Sequence, residues 1–264
     1  MSRLRRYLEK TTLYRSSFFL RYIKESLAAH FRRRSFAEYG EDLIVENLLG
    51  RAVEFFIDVG ANDGFHSSNT FYFALRGAGG VCFEPMPELY SSLRSLHIFN
   101  HKVKCLRCGV SDENKKARMI SLEGLSYLPE TQDPSHKLLH EPEHPIVPEV
   151  REIRLLRFQD AIAGLDVPRI VDLLTVDVEG HELKVLQSIP FGQYRFRVVI
   201  VETHQLSADS QYLWKHRDYE QIITLLEKWG YRPVQVTVAN TVFMNESLMP
   251  RMIEASLVGT RLSD

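Results

Sequence analysis

Four short stretches hold the residues able to do chemistry. The first is Asp58-Val59-Gly60-Ala61-Asn62-Asp63-Gly64, which follows the apolar run Phe55-Phe56-Ile57. Glycines at 60 and 64 let the backbone approach a flat ligand closely, because no Cβ stands in the way. The second is Glu84, 20 residues beyond Gly64 and at the end of another apolar run, Gly80-Val81-Cys82-Phe83. A carboxylate at that distance suits the two vicinal hydroxyls of a ribose. The third is Asp177-Val178-Glu179-Gly180-His181-Glu182 and the fourth is Glu202-Thr203-His204, each closing a run rich in Val, Ile and Leu. Apolar strands that end side by side in Asp, Glu and His mark a site more often than a surface. Together the stretches predict a nucleoside cofactor beside a cluster of acids and bases.

The turn itself narrows the choice of nucleoside. A dinucleotide turn needs Gly-x-Gly-x-x-Gly so that a pyrophosphate sits on a helix N-terminus, whereas here Asn62 takes the middle position and Asp58 and Asp63 repel phosphate. No Gly-Lys-Ser/Thr follows the strand, which excludes a P-loop. S-adenosylmethionine has no phosphate and carries a sulfonium and an amino group, both favoured by carboxylates. Two other readings stay open: a non-catalytic module of the same fold that binds the cofactor or a partner, and an NAD-dependent oxidoreductase, which only Glu84 favours. A divalent metal held by Asp177 and Glu202 is a less favoured rival, so no metal ligands are assigned. Cys105-x-x-Cys108 lacks the second pair that zinc needs and reads as core.

The elements that must position these groups follow from periodicity. Short runs at 54–58, 80–84, 102–106, 171–176 and 197–202 alternate with helix-period segments, as in β-α-β units with helices on both faces. Over 218–229, Tyr219, Ile222, Ile223, Leu226 and Trp229 form one apolar stripe, and Gly230 follows as a stop. The tail from Tyr231 to Met244 predicts two more strands, broken near Ala239-Asn240. With 264 residues, 44% of them hydrophobic, the chain suits one sizeable domain, here 35–264, preceded by a basic arm at 1–34.

That arm carries ten Lys or Arg against Glu9 and Glu25, leaving 23 basic and 32 acidic residues in the body. An acidic body argues against nucleic acid as the main substrate. Leu20, Ile23, Leu27 and Phe31 share a helix face among basic residues, so the arm reads either as a solvated lead-in or as a peripheral membrane-surface contact. Three cysteines and no run of 18 apolar residues predict a reducing, cytoplasmic setting without a spanning helix.

Between the third and fourth central strands lies an excursion at 112–157 with prolines at 129, 134, 142, 145 and 148. It reads as a structureless lid over the acceptor substrate, since it leaves from the carboxyl side of the sheet. His136, His140 and His144 recur every four residues, but Pro142 and Pro145 break the helix that would align them, so they read as solvated.

In their order and spacing, Asp58-Val-Gly-Ala-Asn-Asp-Gly64, Phe83-Glu84-Pro85, Val176-Asp177-Val-Glu-Gly-His-Glu182 and Val201-Glu202-Thr-His204 resemble the FkbM family of S-adenosylmethionine-dependent methyltransferases, over about 36–245. Tyr39-Gly40-Glu41-Asp42 is similar to the family's lead-in and Asn240-Thr-Val-Phe-Met244 to its closing strand. The resemblance implies an α/β class I (Rossmann-like) methyltransferase fold: a seven-stranded, mostly parallel sheet with one antiparallel strand near an edge. It also implies O-methylation of a sugar, glycan or other natural-product acceptor. On it, Asp58, Gly60, Asn62 and Gly64 wrap the methionine part of the cofactor, Glu84 holds the ribose, and Gly109, Val110 and Ser111 flank the adenine. Asp177 lies near the sulfonium, while His181, Glu202 and His204 face the acceptor.

Methyl transfer to oxygen is an in-line displacement with the reacting atoms about 3 Å apart and the hydroxyl losing its proton. A neutral alcohol is a poor nucleophile, and histidine titrates near working pH, so His181 or His204 is the expected base, oriented by Glu179 or Glu202.

Overall fold

The computed structural model describes residues 35–122, 125–131, 149–206 and 213–248. The arm at 1–34 and the histidines at 136, 140 and 144 lie outside them. Among the described residues, no helix is long and apolar enough to cross a membrane.

In chain order the strands are β1 (Phe55–Val59), β2 (Gly79–Phe83), β3 (Val103–Leu106), β4 (Gly109–Val110), β5 (Lys115–Leu122), β6 (Leu125–Tyr127), β7 (Glu149–Leu156), β8 (Ile170–Val176), β9 (Arg195–Glu202), β10 (His204–Leu206), β11 (Leu213–Lys215), β12 (Tyr231–Val236) and β13 (Asn240–Asn245). Helices α1 (Glu41–Leu49), α2 (Phe71–Leu75), α3 (Pro87–Leu96), α4 (Phe158–Ala161), α5 (Glu182–Ser188) and α6 (Tyr219–Lys228) connect them. The five central strands and the stripe on α6 fall within a residue or two of their expected bounds.

Seven strands form the main sheet in the order β12-β13-β9-β8-β1-β2-β3. All pairings from β9 to β3 are parallel, and β13 runs antiparallel to both of its neighbours. This is the mostly parallel sheet with one reversed strand that the sequence implies. Alternate side chains feed two cores. Ile57, Val59, Val81, Phe83, Leu174 and Val199 pack on one face, and Phe56, Cys82, Leu173, Val198 and Val242 on the other. Strands covered on both faces must be apolar throughout, so only their ends are free to carry charge.

Register brings those ends together. Val59 pairs with Phe83 on one side and Val176 on the other, and Val176 pairs with Val201. Gly60, Glu84, Asp177 and Glu202 therefore follow directly from aligned residues along one sheet edge. The chain leaves β1 toward β2 and β8 toward β9, in opposite directions, so the β1–β8 junction is the switch point at which open α/β sheets bind ligands.

The excursion departs from its expected form. Its flanks are strands, not a structureless lid: β5 pairs antiparallel with β6 and β7, and β4 joins β7, giving a second sheet of four strands. In Lys115–Leu122 and Glu149–Leu156 one face packs on a small core of Met86, Met119, Leu128, Ile153 and Leu155, and of the other face Leu156 joins the main core. The alternation is thus diluted by basic and acidic side chains. Residues 132–148 lie outside the described set.

The lead-in segment has a structural task. Glu41, fully buried, accepts from the Tyr39 N–H (3.0 Å), Thr237 Oγ1 (2.7 Å) and Asn240 Nδ2 (2.8 Å). Asp42, also fully buried, accepts from Ser35 Oγ (2.6 Å) and the N–H of Phe36 (2.7 Å). Glu41 thereby ties the entry of the domain to the β12–β13 turn, and Asp42 pins the segment that precedes it. Glu41→Ala strands three donors, and urea unfolding is expected to show a loss of about 2 kcal/mol or more.

Candidate active site

A cleft of about 1010 Å³, counted with its mouth, opens over the β1–β8 switch point. Its floor is the turn Asp58–Asn62, with Gly60 at φ +91°. A Cβ on Gly60 would lie 1.7 Å from the Asp177 carbonyl oxygen, because the Asp177 N–H donates to the Val59 carbonyl (3.0 Å) and clamps the two strand ends together. Asn62 also has positive φ, and its N–H donates to Glu84 Oε2 (3.0 Å). The Met86 N–H donates to Glu84 Oε1 (2.8 Å), so this carboxylate is aimed by backbone at both ends. Burial outweighs those two donors and pushes Glu84 up to about 8. Asp58 is buried beneath the turn, accepts from Thr70 Oγ1 (2.6 Å), and is pushed up to about 7 by burial.

Of the remaining expected cofactor residues, Gly109 and Val110 line the same cleft. Gly64 sits behind the lining, where its Cα faces Leu93 and Leu96 of α3. Ser111 is fully buried, and its Oγ lies 2.9 Å from His181 Nε2. The opposite wall comes from the excursion: Met119, Ser126, Leu128, Ile153 and Leu155. The sequence had assigned this segment to the acceptor. Its described residues line the first cleft, because β4 follows β3 and draws the second sheet to that side.

A second cavity of about 770 Å³ adjoins the first and shares Ser67, Asn69, Asp177 and Glu179 with it. Glu202, His204, Glu38, Tyr39 and the β12–β13 turn complete it. Asp177 stands at the junction; desolvation by the surrounding walls, then the charge of Glu182, raise its pKa. Half-buried Glu179, at φ +56°, is pushed up to about 8 by desolvation and then by Asp177. Desolvation, then Asp177, Glu179 and Glu182, hold Glu202 well above the carboxylate range. These are carboxyl groups crowded together at one strand edge, which favours binding of positive charge there.

The two expected bases separate. His181 caps α5, lies in the first cleft and is held at Nε2 by Ser111. His204 faces the second cavity, with Nδ1 held by Thr203 Oγ1 (2.8 Å) and its ring edge-on to Tyr219. Thr203, not Glu202, therefore orients His204. Burial, then His216 and Lys215, lower its pKa. Sequence reasoning missed Ser67, Asn69 and His216, and placed Tyr39 only in the lead-in segment. The polar run Ser67-Ser68-Asn69-Thr70 behind the glycine turn was a usable signal; His216 carried none.

A seven-stranded sheet with β13 reversed, a ligand cleft at its switch point and a ribose-type acid at the end of β2 define a class I, Rossmann-like methyltransferase domain. The Methyltransferase FkbM domain family matches residues 58–233, and the chain belongs to that family. S-adenosylmethionine is accordingly its cofactor, as the turn chemistry predicts. No curated protein matches the chain. Among solved structures, it is similar to methyltransferase FkbM from Methylobacillus flagellatus KT (12% identity, TM-score 0.43, covering 73% of this chain and 44% of that one). It is also similar to cofactor-bound Rv0187 from MTB (12%, TM-score 0.46, 92% and 95%). A third is the O-methyltransferase from Bacillus cereus in complex with SAH (10%, TM-score 0.43, 86% and 89%). The chain thus spans under half the length of the Methylobacillus protein.

Proposed function

We propose that the protein transfers the methyl group of S-adenosylmethionine to a hydroxyl oxygen of a sugar, glycan or other polyhydroxylated small molecule. One observation carries the reading: the cleft over the glycine turn and a second cavity meet at Asp177 and Glu179, with a histidine on the far side. In this reading the turn Asp58–Asn62 and the carboxyl of Asp177 hold the methionine end, and Glu84 takes the ribose hydroxyls. Gly109, Val110 and the apolar wall of Met119, Leu128 and Leu155 flank the adenine. The acceptor enters beside Glu202 and His204. The C–S bond breaks as the O–C bond forms, the neutral thioether leaves, and His204 takes the hydroxyl proton. Free Cys82, Cys105 and Cys108 support a cytoplasmic setting.

The test offers the full chain S-adenosylmethionine with glycosides, nucleotide sugars, polyols and primary amines, and follows S-adenosylhomocysteine release. Turnover with hydroxyl acceptors is expected; turnover confined to amines would overturn O-methylation.

Glu84 supplies a pH signature. Ribose hydroxyls donate to the ionised carboxylate, so binding favours the form that dominates above its pKa of about 8. Affinity for S-adenosylhomocysteine is expected to rise as pH goes from 6.5 to 8.5, with proton release on binding below pH 8. Glu84→Gln should weaken binding by about tenfold or more and flatten this rise. Calorimetry in buffers of different ionisation enthalpy reads both.

A further inference from the structure

Three side chains converge beside the second cavity, two of them outside its lining. Glu182 opens α5, Glu202 closes β9 and His216 follows β11, and one ligand atom from each lies within 4.8 Å of the other two. Ligands on opposite sides of one divalent ion, each about 2.1–2.5 Å from it, span about the same distance.

The local wiring holds these atoms apart. Glu182 Oε1 is committed to the N–H groups of Val178 and Gly180, both at 3.0 Å, which leaves Oε2 toward His216. The His216 N–H donates to the Thr203 carbonyl (2.8 Å), fixing the residue against the end of β9. Its Nδ1 then stops 3.7 Å from Glu182 Oε2, too far for a hydrogen bond. The His216 side chain is only 10% exposed, yet among the described residues its Nδ1 has no hydrogen-bond partner, and neither has Oε2 of Glu202. Buried polar atoms are normally paired, and unpaired ones on two members of so close a trio point to something that sits among them. A closer approach of His216 would have made an ordinary His–Glu hydrogen bond; the spacing instead leaves room for an ion.

We propose that Glu182, Glu202 and His216 bind one divalent transition-metal ion at the edge of the acceptor cavity. One imidazole with two carboxylates suits Mn²⁺, Fe²⁺ or Zn²⁺ better than the all-oxygen cages of Ca²⁺ and Mg²⁺. Three protein ligands leave a position for water or for an acceptor oxygen, since Glu202 lines the cavity itself. An acceptor hydroxyl bound there would give up its proton more readily. That role rests on the methyl-transfer reading above; the binding of the ion does not. The set differs from the Asp177 and Glu202 pair considered from sequence, because His216 reaches the site only through the β10–β11 hairpin.

The test uses the full chain, stripped with chelator, dialysed and titrated with MnCl₂ while electron paramagnetic resonance reports free Mn²⁺. Uptake of one Mn²⁺ per chain is expected, displaced by Zn²⁺, and weakened about tenfold or more in Glu202→Gln and in His216→Ala. S-adenosylhomocysteine calorimetry on the same variants checks the fold. If they fail it, Glu182→Gln, whose amide oxygen can still accept from Val178 and Gly180, is read in the same way. No stoichiometric uptake of Mn²⁺ or Zn²⁺ by the wild type, or undiminished uptake by a folded variant, would overturn the site. A protein that takes up one Mn²⁺ but neither binds S-adenosylhomocysteine nor turns over would instead sink the methyl-transfer reading and leave the metal site standing.

Discussion

Gly60→Ala is expected to lower affinity for S-adenosylmethionine and S-adenosylhomocysteine more than a hundredfold, with a marked loss of stability. Two costs combine at this position. The residue sits at φ +91°, a region that costs a non-glycine residue about 1–2 kcal/mol. The added Cβ would also come 1.7 Å from the Asp177 carbonyl oxygen, and that atom belongs to backbone clamped by the Asp177 to Val59 hydrogen bond. A flexible side chain could swing aside; a strand end cannot without parting β1 from β8. The floor of the cleft and the carboxyl of Asp177 would then shift together. Gly164→Ala is the control, since Gly164 has φ +80° but nothing within 4 Å of its missing Cβ. It should lose only about 1–2 kcal/mol in urea unfolding and bind the cofactor normally. Cofactor affinity within threefold of wild type in Gly60→Ala would show that the turn is not the binding floor.

His204→Gln is expected to reduce kcat by about 10²–10⁴ while cofactor affinity stays close to wild type. His204 faces the second cavity and is oriented through Nδ1 by Thr203, so glutamine preserves size and polarity but cannot accept and release a proton. His181→Gln should behave in the opposite way. Its imidazole is bonded to buried Ser111 within the cofactor cleft, so the change is expected in S-adenosylhomocysteine affinity more than in kcat. Single-turnover kinetics with saturating cofactor separate the two. Full turnover in both variants, with cofactor still bound, would eliminate histidine as the base and leave the crowded carboxyl groups at Asp177 and Glu202 to take the proton.

Much of the fold was legible because a strand packed on both faces must be apolar along its whole length. Runs such as Val198-Val199-Ile200-Val201 announce themselves, and α6 shows its stripe for the same reason. The second sheet was not legible. Lys115–Leu122 packs Ala117 and Met119 on a small core, with Lys115 on that same face and Lys116 and Arg118 on the other, so its alternation is weak and the nearby prolines dominate the pattern. The segment looked like a lid when its flanks are a wall.

What the amino-acid sequence by itself pointed to is the class of ligand: glycines, acids and spacing at Asp58–Gly64 and Glu84 favour a sulfonium nucleoside over a phosphorylated one, since each is read through its immediate neighbours. Tertiary structure alone decided which groups meet. Ser111 and His181 are 70 residues apart, and Glu41 and Asn240 are 199 apart, yet each pair shares a hydrogen bond. His216 likewise faces Glu182 across the end of the sheet. Periodicity records how one segment meets the core. Strand register and hairpin closure settle which polar ends then face each other, and no local pattern carries that information.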